Sequence, residues 1–348
     1  MSQKSTLDTK KQSIKIAVVG ATGNVGRAML SILAERGFPA CNIVPLASER
    51  SAGMKVSYGE DNVLSVQPLQ SYDFSTTQIA LFSPGGKISA EYAPIAAKQG
   101  CIVIDNTSHF RMDPDIPLVI PEINGDQIAH YKNRNIIANP NCSTIQLLMA
   151  LKPLQNIAKI KRVVACTYQS VSGAGKEAMD ELMLQTKSIL VNQEVKNVIF
   201  AKPIAFNVIP QVDSFLDSGE TKEEWKMTVE TQKILDPSIK LVATCVRVPV
   251  FIGHGVAAHV EFEGAISPAE ARKALKAFKG IIVEDKPDDY GFATPSEIAG
   301  DDAVYVSRIR KDESVDHGLS LWIAADNVRK GAALNTVQIA EKLIQDYL

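Results

Sequence analysis

The chain has 348 residues, 45% of them hydrophobic and 22% charged, with a formal net charge of −2. This length and composition predict a soluble globular protein of two domains with ample core. Charges of both signs are interspersed, so no basic stripe points to nucleic acid or an anionic membrane, and no apolar run reaches transmembrane length.

Residues 1–13 are polar and contain no apolar core, which reads as a disordered tail and not as a signal peptide. Residues 14–19 form a continuous apolar strand. Gly20-Ala21-Thr22-Gly23-Asn24-Val25-Gly26 follows it and opens a helical pattern over residues 25–33. Glycines in this position allow a tight turn, close approach of a pyrophosphate and close helix–strand packing, with the phosphates at the helix N-terminus. The spacing is G-x-x-G-x-x-G rather than G-x-G-x-x-G, so its place in the first βα unit is what points to a dinucleotide. A second strand over residues 43–47 runs into Ser48-Glu49-Arg50-Ser51. Arg50 with Ser48 and Ser51 suits the 2′-phosphate of NADP, whereas Glu49 could serve a bare ribose and allow NAD. Strands over residues 79–82, 102–104 and 136–138 and a helix over 88–97 continue the alternation, which predicts a parallel sheet.

Cys142 lies where the strand ending at Asn139-Pro140 gives way to a helical pattern of Ile145, Leu148 and Met149. A thiol at a helix N-terminus has a lowered pKa and becomes a nucleophile, beside backbone N–H groups able to stabilise an oxyanion. The competing reading is a small hydrophobe at a helix start. The chain has five cysteines and no Cys-x-x-Cys pair. Cys101, Cys166 and Cys245 sit in apolar runs as core residues, and a reducing, cytoplasmic setting fits.

Beyond Cys142 the pattern changes to alternation, as in residues 256–262 and at Leu319, Leu321 and Ile323, which predicts a mixed or antiparallel sheet. Gln169-Ser170-Val171-Ser172-Gly173-Ala174-Gly175-Lys176 ends a long strand. It lacks the first glycine and the Ser/Thr of a P-loop, which excludes nucleotide hydrolysis. Arg247 and His254 share one loop between two strands. His254, between two glycines, reads as accessible and is a candidate proton shuttle. His254 and His259 are five apart on an extended segment and face opposite sides, and no other cluster has ligand spacing, so no metal is expected. A final helix over residues 332–348 carries Leu334, Val337, Ile344 and Leu348 on one stripe.

These readings predict an α/β protein. An N-terminal Rossmann-type dinucleotide-binding domain spans residues 14–141 and 328–348. A second α+β domain over residues 142–327 is built on a mixed, largely antiparallel sheet.

The glycine motif, Arg50-Ser51-Ala52-Gly53, Asp105-Asn106-Thr107-Ser108-His109-Phe110-Arg111, Asn139-Pro140-Asn141-Cys142, the Gln169 motif, Glu223-Glu224-Trp225-Lys226, the Arg247 to His254 loop and Asp326-Asn327-Val328-Arg329-Lys330-Gly331 occur in that order. Together they resemble aspartate-β-semialdehyde dehydrogenase. The resemblance implies NADP-dependent interconversion of L-4-aspartyl phosphate and L-aspartate 4-semialdehyde, in lysine, methionine and threonine biosynthesis, by a homodimer or homotetramer. It implies Cys142 as nucleophile, His254 as acid/base and Gln169 as the residue positioning the acyl intermediate. Arg247 and Glu223 would contact the substrate's α-carboxylate and amino group, and Arg111, Lys226 and Asn141 its phosphate. The cofactor would meet Gly20, Thr22, Gly23, Asn24, Val25, Gly26, Ser48, Arg50, Ser51, Ser172, Gly173 and Asn327. N-acetylglutamyl-phosphate reductase and glyceraldehyde-3-phosphate dehydrogenase fit the Asn141-Cys142-Ser143 turn less well. A non-catalytic dinucleotide-binding regulator would not need the set Cys142, Gln169, Arg247 and His254.

Overall fold

The computed structural model describes residues 3–348. The chain divides into two compact units, one ending at Pro140 and resuming at Ala332–Leu348, the other Asn141–Gly331. In the first unit the strands are β1 (Ile16–Val19), β2 (Ile43–Ala47), β3 (Lys55–Tyr58), β4 (Asn62–Ser65), β5 (Gln67–Pro68), β6 (Ile79–Phe82), β7 (Ile102–Asp105) and β8 (Ile136–Ala138). Six of them form one all-parallel sheet in the order β5-β2-β1-β6-β7-β8. The four residues of β1 and of β6 are buried throughout, as expected of a sheet covered on both faces. The chain winds outward from β1 through β2, then back to β6 and away through β7 and β8. The strand order therefore reverses between β1 and β6, and ligands bind at such a switch point. The β3–β4 hairpin, with Val56 and Tyr58 buried, is an insertion that the reading of the sequence did not foresee.

The helices of this unit are α1 (Gln3–Lys11), α2 (Asn24–Glu35), α3 (Gly86–Lys98), the short α4 (Pro121–Asn124) and the C-terminal helix Leu334–Tyr347. Gly20, at φ +85°, makes the turn from β1 into α2, and a Cβ there would sit 2.6 Å from the Ser83 carbonyl oxygen. A Cβ on Gly26 would lie 2.1 Å from the Gly20 carbonyl oxygen, so this glycine lets helix and strand approach. At the end of β8, Asn139 donates to Asn106 Oδ1 (2.8 Å) and accepts from Asn335 Nδ2 (2.7 Å), which pins the segment from which the chain leaves the unit.

The expected disordered tail over residues 1–13 is corrected: residues 3–11 are helical, while Met1 and Ser2 lie outside the described residues. The cause is long-range. Lys10 donates to the Ile344 and Gln345 carbonyls at the end of the C-terminal helix, where a cation is favourable. Lys11, 5% exposed, pairs with Glu341 at 2.8 Å and donates to the Arg36 carbonyl at 2.9 Å. No local pattern announces partners some 330 positions away.

In the second unit the buried helix α5 (Cys142–Gln155) accompanies α6 (Lys176–Leu190), α7 (Lys222–Ile234) and α8 (Pro268–Ala277). The sheet comprises β9 (Ile160–Gln169), β10 (Lys240–Arg247), β11 (His254–Phe262), β12 (Ile281–Val283), β13 (Val304–Asp312) and β14 (Gly318–Ala325), ordered β10-β9-β11-β14-β13-β12. The β9–β10 and β12–β13 pairs are parallel, the other three antiparallel. Every residue from Ser143 to Leu151 is buried, so α5 is a core helix rather than the one-sided helix that Ile145, Leu148 and Met149 suggest. A π-helical turn, Arg329–Ala333, leads into the C-terminal helix.

Glu341 is central to the docking of α1, because Arg36 reaches it too, at 2.7 Å. Glu341→Ala leaves the Lys11 ammonium buried without its carboxylate. The expected cost is about 2 kcal/mol, read as a lower urea midpoint at unchanged slope. An unchanged midpoint would show that α1 contributes nothing to stability.

Candidate active site

Strand register assembles the site in the second unit. Arg247, the last residue of β10, pairs with Gln169, the last of β9. Gly255 on antiparallel β11 pairs with Tyr168, which sets His254 beside the same strand end. Gln169 therefore meets Arg247 and His254, some 80 positions later in the chain, at one end of the strands.

Cys142 is the first residue of α5. Its cap is Asn141, whose Oδ1 accepts from the Ser143 (2.9 Å) and Thr144 (3.2 Å) amides. The other end of Asn141 donates to Glu223 Oε1 at 2.8 Å. The side chain expected at a phosphate site is thus the cap that orients the helix bearing the thiol. Gly331 leaves room for that thiol: a Cβ there would lie 2.8 Å from Cys142 Cβ.

Glu223 is in the first turn of α7, where the helix dipole favours a carboxylate. Burial works against its ionisation, but Lys226 and the Asn141 and Gln169 donors outweigh burial and hold it below the usual carboxylate range. Gln169 Nε2 is 3.1 Å from Glu223 Oε1 and also donates to Ser143 Oγ. Lys226 binds Glu223 Oε2 at 3.2 Å and Asp213 at 2.7 Å. The Thr221/Glu224 capping box that starts α7 was legible as T-x-x-E.

Arg247 is 6% exposed, and its Nη1 donates to the Ser170 carbonyl at 2.8 Å. Burial lowers its pKa, opposed by the nearby Glu223 and Cys142. His254 is wholly buried, and burial with the Arg247 charge pushes its pKa down to about 3. Its Nδ1 accepts the Ser170 amide at 3.1 Å, while Nε2 is buried with no hydrogen-bond partner among the described residues. Gly173 faces both groups: a Cβ there would sit 3.0 Å from Arg247 Nη1 and 3.3 Å from His254 Nε2. Asn327 Oδ1 accepts from Gly253 N (2.9 Å) and from the Ser170 and Ser172 hydroxyls. Ser170 had no assigned role in the sequence reading. No local pattern marks it, because its partners come from β11 and from the segment after β14.

The first unit supplies a separate cleft of about 270 Å³ at the β1/β6 switch point, lined by Gly20, Thr22, Gly23, Ser48, Ser83 and Pro84 among others. Gly23 is the N-cap of α2, and the positive end of the helix dipole there favours an anion. These features fit a dinucleotide pyrophosphate. The partly buried Val25 side chain packs against the core, and Gly26 serves the turn. Arg50 is exposed on the turn after β2, near Ser51, and outside the cleft lining. Arg111 is buried in this unit, donating to the Asn106 carbonyl at 3.0 Å. Among the described residues no group of three or more His, Cys, Asp or Glu is placed to hold a metal ion, and no helix is long and apolar enough to cross a membrane.

The family description "Semialdehyde dehydrogenase, NAD binding domain" matches residues 15–131, and "Semialdehyde dehydrogenase, dimerisation domain" matches residues 151–330. The aspartate-semialdehyde dehydrogenase of Shewanella sp. (strain DB6705) is 52% identical over 340 residues, covering 97% of this chain and 99% of that protein. The chain belongs to the aspartate-semialdehyde dehydrogenase family. The crystal structure of aspartate semialdehyde dehydrogenase II from Vibrio cholerae, complexed with ASA, superposes with a TM-score of 0.94 at 52% identity over 97% of this chain and all of that one. The Candida albicans aspartate semialdehyde dehydrogenase with NADP has a TM-score of 0.73 at 25% identity, over 95% and 98% of the two chains. Family membership makes this chain an oxidoreductase with a nicotinamide-dinucleotide domain. It disfavours the other acyl-phosphate reductases and the non-catalytic regulator.

Gly173→Ala tests whether Arg247 and His254 face a common ligand. The added methyl should leave folding intact and lower kcat/KM by about tenfold or more, because small misplacements in a site are costly. Wild-type kinetics in the variant would mean that nothing bound occupies the space between the two groups.

Proposed function

We propose that the chain catalyses NADPH-dependent reductive dephosphorylation of L-4-aspartyl phosphate to L-aspartate 4-semialdehyde, through a thioester on Cys142. The observation that carries this reading is the junction of a helix-start thiol, an unpartnered His254 Nε2 and the buried Arg247 within one unit. Cys142 attacks the acyl carbon and phosphate departs. The nicotinamide, when bound, supplies the hydride that takes the thioester to the aldehyde level. His254 attends the substrate oxygen. Arg247 holds the α-carboxylate with its planar fork and Glu223 the amino group, while Gln169 positions the acyl group. Arg111 and Lys226 receive the phosphate. Asn141 supports that site through Glu223, and Asn327, bonded to the Ser172 hydroxyl, serves the nicotinamide region with Ser172 and Gly173. This chemistry fits the biosynthesis of lysine, methionine and threonine.

NADP is the proposed form of the cofactor, with Arg50, Ser48 and Ser51 on the 2′-phosphate. The support is the exposed Arg50 at the end of β2 and the NADP in the Candida albicans relative. The dimerisation-domain match supports a homodimer, or a homotetramer built from it. The free thiols fit a reducing cytoplasm.

Cys142→Ser should nearly abolish turnover while NADP binding and the unfolding midpoint stay close to wild type, since serine keeps the shape but not the thiolate. Substantial residual turnover in the purified variant would sink the assignment. Arg247→Lys keeps the charge and loses the fork, so kcat/KM should fall at least about tenfold. That loss should largely vanish with an analogue lacking the α-carboxylate, and parallel losses on both substrates would remove Arg247 from the substrate site. Arg50→Ala should raise the KM for NADP far more than that for NAD. An equal effect on the two would make Arg50 structural.

A further inference from the structure

Lys226 is held by two carboxylates that are themselves held with unequal firmness. Its Nζ lies 2.7 Å from Asp213 Oδ2 and 3.2 Å from Glu223 Oε2. The Glu223 side chain is 7% exposed, and its other oxygen is engaged by Asn141 at 2.8 Å and Gln169 at 3.1 Å. Asp213 is the accessible partner, with a side chain 37% exposed. Burial works against its ionisation, but the Lys226 hydrogen bond and charge outweigh burial and hold the carboxyl below the usual range. The backbone beneath Asp213 is fixed on both sides. Ile209 exchanges two amide–carbonyl bonds with Arg247, at 2.9 and 2.8 Å. Val212 is buried, and the amide of Lys222, the first residue of α7, donates to the Ser214 carbonyl at 2.8 Å. Asp213 has φ +68°, a left-handed conformation that aspartate and asparagine tolerate better than other non-glycine residues. The loop therefore presents its carboxylate from a fixed backbone, and only the side chain has to turn to release the ammonium.

A phosphoryl oxygen that comes to Lys226 competes with both carboxylates for its N–H groups and is repelled by their charge. Glu223 cannot give way without stranding the Asn141 and Gln169 amides in the interior. Asp213 can, because water takes over its oxygens. We infer that Asp213 is an exchangeable counter-ion for Lys226: it holds the ammonium in the empty site, gives it up to an arriving phosphoryl oxygen and takes it back as phosphate leaves. The inference deepens the function proposed above and rests on it for the presence of phosphate at Lys226. No covalent bond changes and no proton moves in the exchange, since one anionic oxygen replaces another on the same N–H. Asp213 thereby weakens phosphate binding, which lets the product of the reductive direction depart.

The test measures the KM for inorganic phosphate in the oxidative direction, with the full-length chain, aspartate semialdehyde and NADP at constant ionic strength. Asp213→Asn keeps the shape and the left-handed backbone, and Asp213→Gly removes the side chain where glycine is at ease. Both should lower the KM for phosphate at least about threefold, the worth of a partly exposed ion pair. The KM values for the semialdehyde and for NADP should stay within about twofold, a split that a loosened fold would not give. An unchanged or raised KM for phosphate overturns the inference. Glu263→Gln is the control for net charge. Glu263 pairs with Lys159 at the opposite end of β9 and β11 from Gln169 and His254, so a gain equal to that of Asp213→Asn would also overturn it. In a Lys226→Ala background the gain from Asp213→Asn should shrink to below about twofold, because no ammonium is left to release. A gain that persists in full would mean that Asp213 only repels the anion. If wild type does not couple phosphate to oxidation of the semialdehyde, the proposed function fails. The exchange is then read from phosphate binding by calorimetry, where the same threefold gain in affinity supports it and equal affinities overturn it.

Discussion

The catalytic unit is organised around one buried carboxylate. Glu223 is 5% exposed, and its two oxygens take Asn141 and Gln169 on one side and Lys226 on the other. Those partners come from the start of α5, the end of β9 and the next turn of α7. A carboxylate taken out of water needs such donors, and removing any one would leave polar atoms unpaired in the interior. The constraint therefore acts in both directions. Glu223 needs the three elements to converge, and their convergence places Cys142 on a capped helix terminus beside the strand end that carries Gln169.

A second layer of polar contacts decides what the site can do chemically. His254 is held by Ser170, and Ser170 and Ser172 are held by Asn327, whose own orientation is dictated by the Gly253 amide. Every link ends on a backbone donor or a buried side chain, so the geometry exists before any ligand arrives. Such preorganisation is where enzymes gain most from electrostatics, because no dipole has to turn during the reaction. Burial and the Arg247 charge in the same surroundings push the imidazole's pKa down to about 3.

Burial also separates the cysteines. Cys101 is pushed up to about 12 by burial, and Cys245 is raised for the same reason, so both stay thiols. Cys142 is partly exposed at a helix start, the setting that favours thiolate. Cys166 is partly exposed within β9, and Cys41 is exposed in the first unit.

Much of this was legible in the sequence because it is local. Continuous apolar runs marked the strands Ile43–Ala47, Ile79–Phe82 and Ile136–Ala138. The glycines around the first turn carried their steric reason with them, and ordered motifs along the chain carried the family. Tertiary structure alone decided the rest. The helix Gln3–Lys11 exists through lysines that find the far end of the chain. Asn141 turned out to be a helix cap, and the partly buried Val25 side chain packs against the core, since which atoms a side chain meets depends on register and packing. The role of Ser170 was invisible for the same reason. Nothing beside it in sequence indicates that β11 will bring an imidazole nitrogen to its amide. Chain pattern specifies the elements by the period of their apolar residues, whereas hydrogen-bond partners across elements are chosen only when the sheet sets its register.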